Sequence, residues 1–435
     1  MKVFTNYNLA GELSRADYRF QFAYHAASEP AHAVSLIMPV RQEPYLTTTT
    51  RVIHPIFDMN IPEGYLYEKL REMFSRALPV VDKLSMLELI GRSQIGRVRV
   101  AESVGEIKNI PARPLKEALV SHGTAELFAE LLKNYARFSG VAGVQPKVLA
   151  KDDGSLAGMT GAGLFSQSTI SKAPAKVTFH GTTHIVKMAD PDVFPAITTN
   201  EYLCLLAAKR AGLPAPAVWL SRNRQCLVIE RFDIKPDGTY LAFEDICALR
   251  NMQSEEKYFA TCEQAARTLT RHIAAAHTRD MRTFFEADAL SVCLRNGDAH
   301  LKNFGVLYDE PGAAWLAPAY DIVTTTVYLE AGVLALGMGG TKQWPATKTL
   351  LNFGMSECAL SRQQARESLA KIVDAVETVR HEIPAHINDS ATKPERAALA
   401  RMDAQWQAGI ASLTRHLNPA AHHTGFLKIG MKSNK

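Results

Sequence analysis

The stretch Asn296-Gly297-Asp298-Ala299-His300-Leu301-Lys302-Asn303-Phe304, followed by Pro318-Ala319-Tyr320-Asp321, constrains this chain more than any other. It sets an aspartate, an asparagine five residues later and a second aspartate shortly beyond. Phosphoryl transfer needs such a set. One carboxylate orients an attacking hydroxyl and takes its proton, while an amide oxygen and a second carboxylate hold Mg²⁺ against nucleotide phosphates. Asp298, Asn303 and Asp321 fit those roles. Asn-Gly-Asp is also ordinary turn chemistry, so the flanks decide. Residues 289–294 read as a buried helix entering the motif, and residues 304–308 and 315–317 read as two short strands around the Asp309-Glu310-Pro311-Gly312 turn. A helix, a polar loop, a hairpin and a Tyr-Asp pair together bring a catalytic loop to a metal-binding aspartate.

Nucleotide phosphates also need a cation aimed by a rigid element. Thr183-His184-Ile185-Val186-Lys187-Met188 has the β-branched content of a strand. Lys187 is then an edge-strand guard or a buried phosphate ligand, and the downstream loop favours the ligand. Further upstream lies Gly140-Val141-Ala142-Gly143-Val144-Gln145-Pro146-Lys147. Its glycines permit close backbone approach, and main-chain N–H groups of such a turn can surround phosphate oxygens. It is neither a Walker A loop nor G-x-G-x-x-G, and an ordinary turn before a strand at 148–150 remains the alternative. Lys147 either steers phosphate or is solvated.

In this order the parts resemble the HipA-type serine/threonine kinases, the toxin components of bacterial toxin–antitoxin modules. The resemblance runs through Gly11-Glu12-Leu13, Ser35-Leu36-Ile37-Met38-Pro39, Ile56-Phe57-Asp58, Leu89-Ile90-Gly91-Arg92-Ser93-Gln94-Ile95-Gly96, Asn200-Glu201-Tyr202, Ile229-Glu230-Arg231-Phe232-Asp233 and Phe243-Glu244-Asp245-Ile246-Cys247, so it covers most of the chain. It implies an α+β, bilobal protein-kinase-like fold with a strand-rich amino-terminal lobe and a mostly helical carboxy-terminal lobe. It implies ATP and Mg²⁺ as cofactors. Asp298 would be the base, aided by His300 and Lys302, with Asn303 and Asp321 on the metal. Ala142, Gly143, Val144, Gln145, Pro146 and Lys147 would close over the phosphates, Lys187 would contact them, and Glu230, Arg231, Phe232 and Tyr320 would complete the nucleotide site. For His300, a hydrogen bond bracing the loop is the competing reading.

The resemblance further implies a HipB-like helix-turn-helix antitoxin, DNA contact through that antitoxin, and a protein substrate, aminoacyl-tRNA synthetases being the class that family members modify. It carries one departure. Where well-known members place an autophosphorylated serine before Val-Ala-Gly, this chain has Gly140, and where a related branch has another serine it has Ala142. Self-inactivation at the usual site is therefore expected to be absent, with Ser139 the nearest substitute. A small-molecule kinase and a weakly active subunit of an operon-repressing complex are the alternatives.

Composition agrees with a cytoplasmic enzyme. All six cysteines lie between Cys204 and Cys358 without C-x-x-C spacing, which reads as reduced, buried thiols. The amino terminus lacks a signal-peptide core and no apolar run reaches spanning length, so a membrane role is disfavoured. A net charge of +5 does not by itself argue for nucleic acid.

The expected divisions are 1–110, a strand-rich first subdomain; 111–234, the rest of the amino-terminal lobe; and 235–435, the helical lobe. Residues 115–138 should form two helices, 255–277 and 361–383 one long helix each, and 395–417 a closing helix. His272 and His277, five apart, do not share a helix face. Residues 151–174 read as a mobile excursion, 337–342 as a flexible glycine segment near substrate, and 422–435 as a basic tail. Glu201 reads as a first-turn helix acid in preference to a partner for Lys187.

Overall fold

The computed structural model describes residues 1–49, 52–74, 82–120, 124–157, 159, 179–274, 278–329 and 332–414. Most of the 151–174 excursion, His277 and the 422–435 tail lie outside them.

The chain opens as an antiparallel meander of β1 (Lys2–Thr5), β2 (Asn8–Ala16) and β3 (Arg19–Tyr24), extended by β4 (Tyr45–Leu46); β5 (Val98–Val100) returns beside β1, giving the order β4-β3-β2-β1-β5. Asn6 and Asp17 hold the two tight turns at φ 54°, a left-handed region that Asn and Asp enter more readily than most residues. Alternation along β3 buries Phe20, Phe22 and Tyr24. They join a core with Met86, Leu87 and Ile90 of the Lys83–Ile90 helix, whose first turn is capped by Asp82 accepting from the Ser85 N–H at 2.9 Å.

That core continues into a second antiparallel sheet, β6 (Lys147–Ala150), β7 (His184–Met188), β8 (Val218–Leu220) and β9 (Cys226–Glu230), ordered β6-β7-β9-β8. Its register sets Lys147 directly opposite Lys187. Like charges facing across a strand pair repel, so this register requires carboxylates nearby. A third sheet pairs β10 (Ala242–Asp245), β11 (Gly305–Tyr308) and β12 (Trp315–Leu316). Glu244 on β10 binds it to the first subdomain by accepting from Ser35 Oγ at 2.6 Å and the Leu36 N–H at 2.7 Å.

Beyond this the molecule is helical, with Thr278–Cys293, Arg362–Arg380 and Lys393–Thr414 sharing a second core centred on residues such as Phe285, Leu290, Leu369 and Trp406. Gly409 permits the close crossing of two of these helices, since a Cβ there would lie 1.8 Å from the Cys293 carbonyl oxygen. The architecture is the bilobal α+β arrangement expected, with two corrections. The helix expected over 255–277 is divided: Ser254–Glu256 is a single 3₁₀ turn, and Thr261 with Gln264 forms a capping box that starts Cys262–His272 afresh. The 337–342 segment does not border the cavity described below. It is a pinned turn, with Gly339 N–H donating to Glu263 at 2.8 Å and Met338 buried. All six cysteines are buried and free, and no helix among the described residues is long and apolar enough to cross a membrane.

Candidate active site

A cavity of about 480 Å³ opens between the second sheet and the 296–304 loop. Ala142, Gly143, Val144, Gln145 and Lys147 border it from above, with Lys187, Glu230 and Phe232, while Asp298, His300, Lys302, Asn303, Tyr320 and Asp321 border it from below. Pro146 and Arg231 do not.

Arg231 is a correction to the nucleotide set. Its side chain points into the protein, donating from Nε to Asp233 at 2.9 Å and from Nη2 to the Gln94 carbonyl at 2.7 Å. The chain leaves β9 at Glu230, and beyond it Phe232 borders the cavity while Arg231 is held in the interior. Phe232 instead packs with Tyr320, ring centroids 5.4 Å apart, and with Phe243 at 5.6 Å. With Ile185, Leu205, Pro216 and Ile229 these rings make one end of the cavity apolar, a surface suited to a flat heterocycle.

The opposite end is charged. Lys187 Nζ lies 2.6 Å from Glu201 Oε1 and 2.7 Å from Asp321 Oδ1. Glu201 is fully buried on the fifth residue of the Ile197–Arg210 helix, so it is the partner of Lys187 and not a first-turn acid. Asn200 turns that helix toward Asp321: its amide donates to the Thr324 carbonyl at 3.1 Å and its oxygen accepts from the Thr324 N–H at 2.9 Å. Burial opposes the charge on Lys187, but Asp321 and Glu201 outweigh it and hold the ammonium above its ordinary range. Burial likewise opposes charge on Asp321, and Lys187 and Lys147 overcome it, keeping that carboxyl well below the usual carboxylate range. Lys147 has no such carboxylate in contact among the described residues; burial, reinforced by Lys187, lowers it to about 8. Its Nζ donates to the Ala142 carbonyl at 3.1 Å, so it is an interior group of the loop and not a solvated one.

Asp321 adopts φ 54°, a left-handed conformation that Asp enters more readily than most residues. Asn303 donates from Nδ2 to the carbonyls of Asp298 at 3.1 Å and Asp321 at 3.2 Å. These two bonds fix the amide through its nitrogen and leave its oxygen as an acceptor. An amide oxygen and a carboxylate are hard donors, and Mg²⁺ is commonly held by one or two carboxylates together with phosphate oxygens. The donor set therefore fits Mg²⁺ in company with a nucleotide. No cluster of three or more His, Cys, Asp or Glu side chains able to hold a metal alone occurs among the described residues.

Lys302 serves the loop differently from the catalytic role expected of it, while His300 borders the cavity. Lys302 Nζ donates to the Met59 carbonyl and to Ser254 Oγ, both at 2.8 Å, and stands 3.8 Å from Glu63. It ties the loop to the first subdomain. Glu63 also pairs with Lys257 at 2.6 Å, and despite its burial Lys302 and Lys257 hold its carboxyl below the usual range. His300 Nδ1 has no hydrogen-bond partner among the described residues; the ring is braced instead by edge-on packing against Tyr258, 5.1 Å between centroids. Burial lowers its basicity, with Asp298 pulling the other way.

Sequence reasoning did not find Tyr258, Glu63 or Met59. Tyr258 donates its hydroxyl to Asp298 Oδ1 at 2.7 Å. These contacts join residues from 40 to over 200 positions apart, and no local spacing signals them. Ser139, the substitute position for a loop phosphate, is fully buried; its hydroxyl donates to the Tyr135 carbonyl at 2.7 Å and accepts from the Leu149 N–H at 2.8 Å.

The first 101 residues match the HipA N-terminal domain family, and residues 139–380 match the HipA-like C-terminal domain family. Y4mE of Sinorhizobium fredii, a protein named as a kinase, is 30% identical over 339 residues, spanning 71% of this chain and 72% of that protein. Y4dM of the same organism, named likewise, is 28% identical over 312 residues and 68% of each chain. Among solved structures, HipA of Shewanella oneidensis, determined with HipB and operator DNA, superposes with a TM-score of 0.64 at 19% identity, over 94% of this chain and 96% of that one. At that identity the likeness is one of fold. Matched in order by both of its domains, the chain belongs to the HipA family.

Proposed function

We propose that this protein is a kinase of HipA type that transfers the γ-phosphoryl group of ATP to a serine or threonine hydroxyl of another protein. The observation that carries this reading is the convergence of Lys187, Asp298, Asn303 and Asp321 on one cavity with an apolar end. The rings of Phe232, Phe243 and Tyr320 accept the adenine, and Lys187 and Lys147 face the phosphates. Asp298 orients the acceptor hydroxyl and receives its proton as the oxygen attacks phosphorus. Asn303 and Asp321 hold Mg²⁺, which supplies charge neutralisation on the phosphates. Positioning and electrostatics carry the catalysis.

Family membership, and the Shewanella HipA solved with HipB and operator DNA, support a helix-turn-helix antitoxin as partner, with DNA reached through it. An aminoacyl-tRNA synthetase in the cytoplasm is the target class we favour. The test is to incubate the protein with γ-labelled ATP, Mg²⁺ and a bacterial lysate. A discrete labelled protein, absent without the kinase, is expected and would name the target. Label confined to small molecules would sink the protein-kinase reading.

Two consequences can be measured directly. Residues 140–147 contain no hydroxyl side chain and Ser139 is buried with its hydroxyl engaged. Phosphopeptide mass spectrometry after incubation with ATP is therefore expected to find no phosphate on residues 139–147; stoichiometric phosphate on Ser139 would contradict this.

The second concerns Lys147, lowered to about 8. Nucleotide phosphates favour its ammonium, so the free protein must take up a proton to bind once the pH exceeds that value. Nucleotide affinity should be flat below pH 8 and fall by about tenfold per unit above it, until the ordinary lysine range is reached. Lys147→Arg, which keeps its charge, should flatten the profile in a calorimetric titration; a wild-type profile already flat to pH 9.5 would remove Lys147 from the phosphate site.

A further inference from the structure

The only hydrogen bond to the Asp298 carboxylate among the described residues comes from Tyr258, whose phenol donates to Oδ1 at 2.7 Å. A hydroxyl donating to this carboxylate is the contact an acceptor substrate must make with a general base. The chain thus fills the acceptor's place with a hydroxyl of its own, and both groups border the same cavity.

Tyr258 is well situated to leave. It follows the Ser254–Glu256 turn and precedes the Cys262–His272 helix, so its movement breaks no regular element. The residue is 37% exposed, and its ring meets His300 edge-on and the Lys257 ammonium 5.6 Å from its centroid. Lys257 and Glu63 pair beside it at 2.6 Å, which anchors the backbone before the tyrosine while leaving the phenol end toward the cavity.

Every kinase must favour its substrate hydroxyl over water, which is smaller and present at far higher concentration. Resting on the kinase reading above, we propose that Tyr258 is a specificity residue that keeps water off Oδ1 of Asp298 until a protein hydroxyl displaces the phenol. The reaction suppressed is hydrolysis: a water oxygen attacks the γ-phosphorus, the bond to the bridging oxygen of ADP breaks, and the water proton passes to Asp298. With Tyr258 in place, water must break a hydrogen bond to an ionised group to reach Oδ1. A polypeptide acceptor recovers that loss through contacts around the cavity mouth, whereas water has none to offer.

The test compares ATP hydrolysis in the absence of acceptor, and transfer to labelled lysate protein, for wild type, Tyr258→Phe and the Tyr258→Phe/Asp298→Asn double variant. Phenylalanine keeps the ring against His300 and removes only the hydroxyl. Hydrolysis is expected to rise on the order of tenfold in Tyr258→Phe, the scale set by losing one hydrogen bond to a charged group. Transfer to protein should persist, and the double variant should lose the gain because it depends on the base. Hydrolysis that is unchanged or lower in Tyr258→Phe, with transfer lowered too, would make the tyrosine a support for the carboxylate and overturn the proposal. Phosphate recovered on Tyr258 of the wild type would overturn it as well, since the residue would then be an acceptor. Failure of the kinase reading is visible separately, as wild-type protein that binds ATP yet neither transfers nor hydrolyses it, and the proposal would fall with it.

Discussion

Asp298→Asn is expected to lower phosphoryl transfer by about 10³-fold, within the range ascribed to a positioned general base, while nucleotide affinity stays within a few-fold of wild type. Asparagine is isosteric, and its oxygen can still accept from Tyr258 as Oδ1 does now at 2.7 Å. The main-chain contacts of residue 298, with its N–H on Asn296 at 3.0 Å and its carbonyl receiving Asn303 at 3.1 Å, involve no carboxylate. The loop should therefore keep its shape, and Asn303 and Asp321 their orientation. Single-turnover transfer measured beside equilibrium binding of ATP would separate the two effects. Transfer at the wild-type rate would remove Asp298 as the base, and a matching loss of binding would show that the substitution had collapsed the loop.

Lys187→Met should have the largest effect on the fold. Glu201 is fully buried, and the cation paired with it is Lys187 at 2.6 Å. Removing one partner of a buried pair typically costs about 3–5 kcal/mol, because the other charge is left unsolvated, whereas replacing both by neutral groups is often close to neutral. Lys187→Met should thus be markedly destabilised in chemical denaturation at pH 8. The loss should shrink toward pH 5, where the isolated carboxyl can take up a proton. Adding Glu201→Gln should restore most of the stability but none of the transfer, since Asp321 and the phosphates would still lack the Lys187 ammonium. A double variant as unstable as the single one would place the cause in packing around the substituted side chain and not in the orphaned charge.

The comparison of sequence and structure divides along the range of the signals. Segments whose shape follows from their own residues were legible: the lysine strand from its β-branched run, the hairpin β11–β12 from two apolar stretches about a Pro-Gly turn, and the helix entering the loop from its apolar content. The loop's polar set was legible because its spacing is local, and the structure brings Asp298, Asn303 and Asp321 to one cavity. What escaped depends on distant parts of the chain. The orientation of Glu201 is set by Asn200 gripping Thr324, 124 positions away. Arg231 reads as part of one binding unit with its neighbours, but its guanidinium is drawn inward by Asp233 and by the Gln94 carbonyl, 137 positions away. Lys302 looked catalytic because it sits inside the motif, but its partners lie in residues 59–63 and 254.

The contacts of Lys302 bear on how this enzyme could be taken apart or recombined. The two family matches, residues 1–101 and 139–380, suggest a natural place to exchange halves between relatives. A chimera made there would retain the Lys302 ammonium but inherit whatever the incoming half presents where Glu63 and the Met59 carbonyl now stand. Without an equivalent carboxylate and carbonyl, the 296–304 loop would carry an interior cation with Ser254 Oγ as its remaining acceptor among the described residues. The interval between the two matches is a seam in the sequence that the active site does not respect, so functional hybrids should require co-transplanting residues 59–63 with the loop they serve.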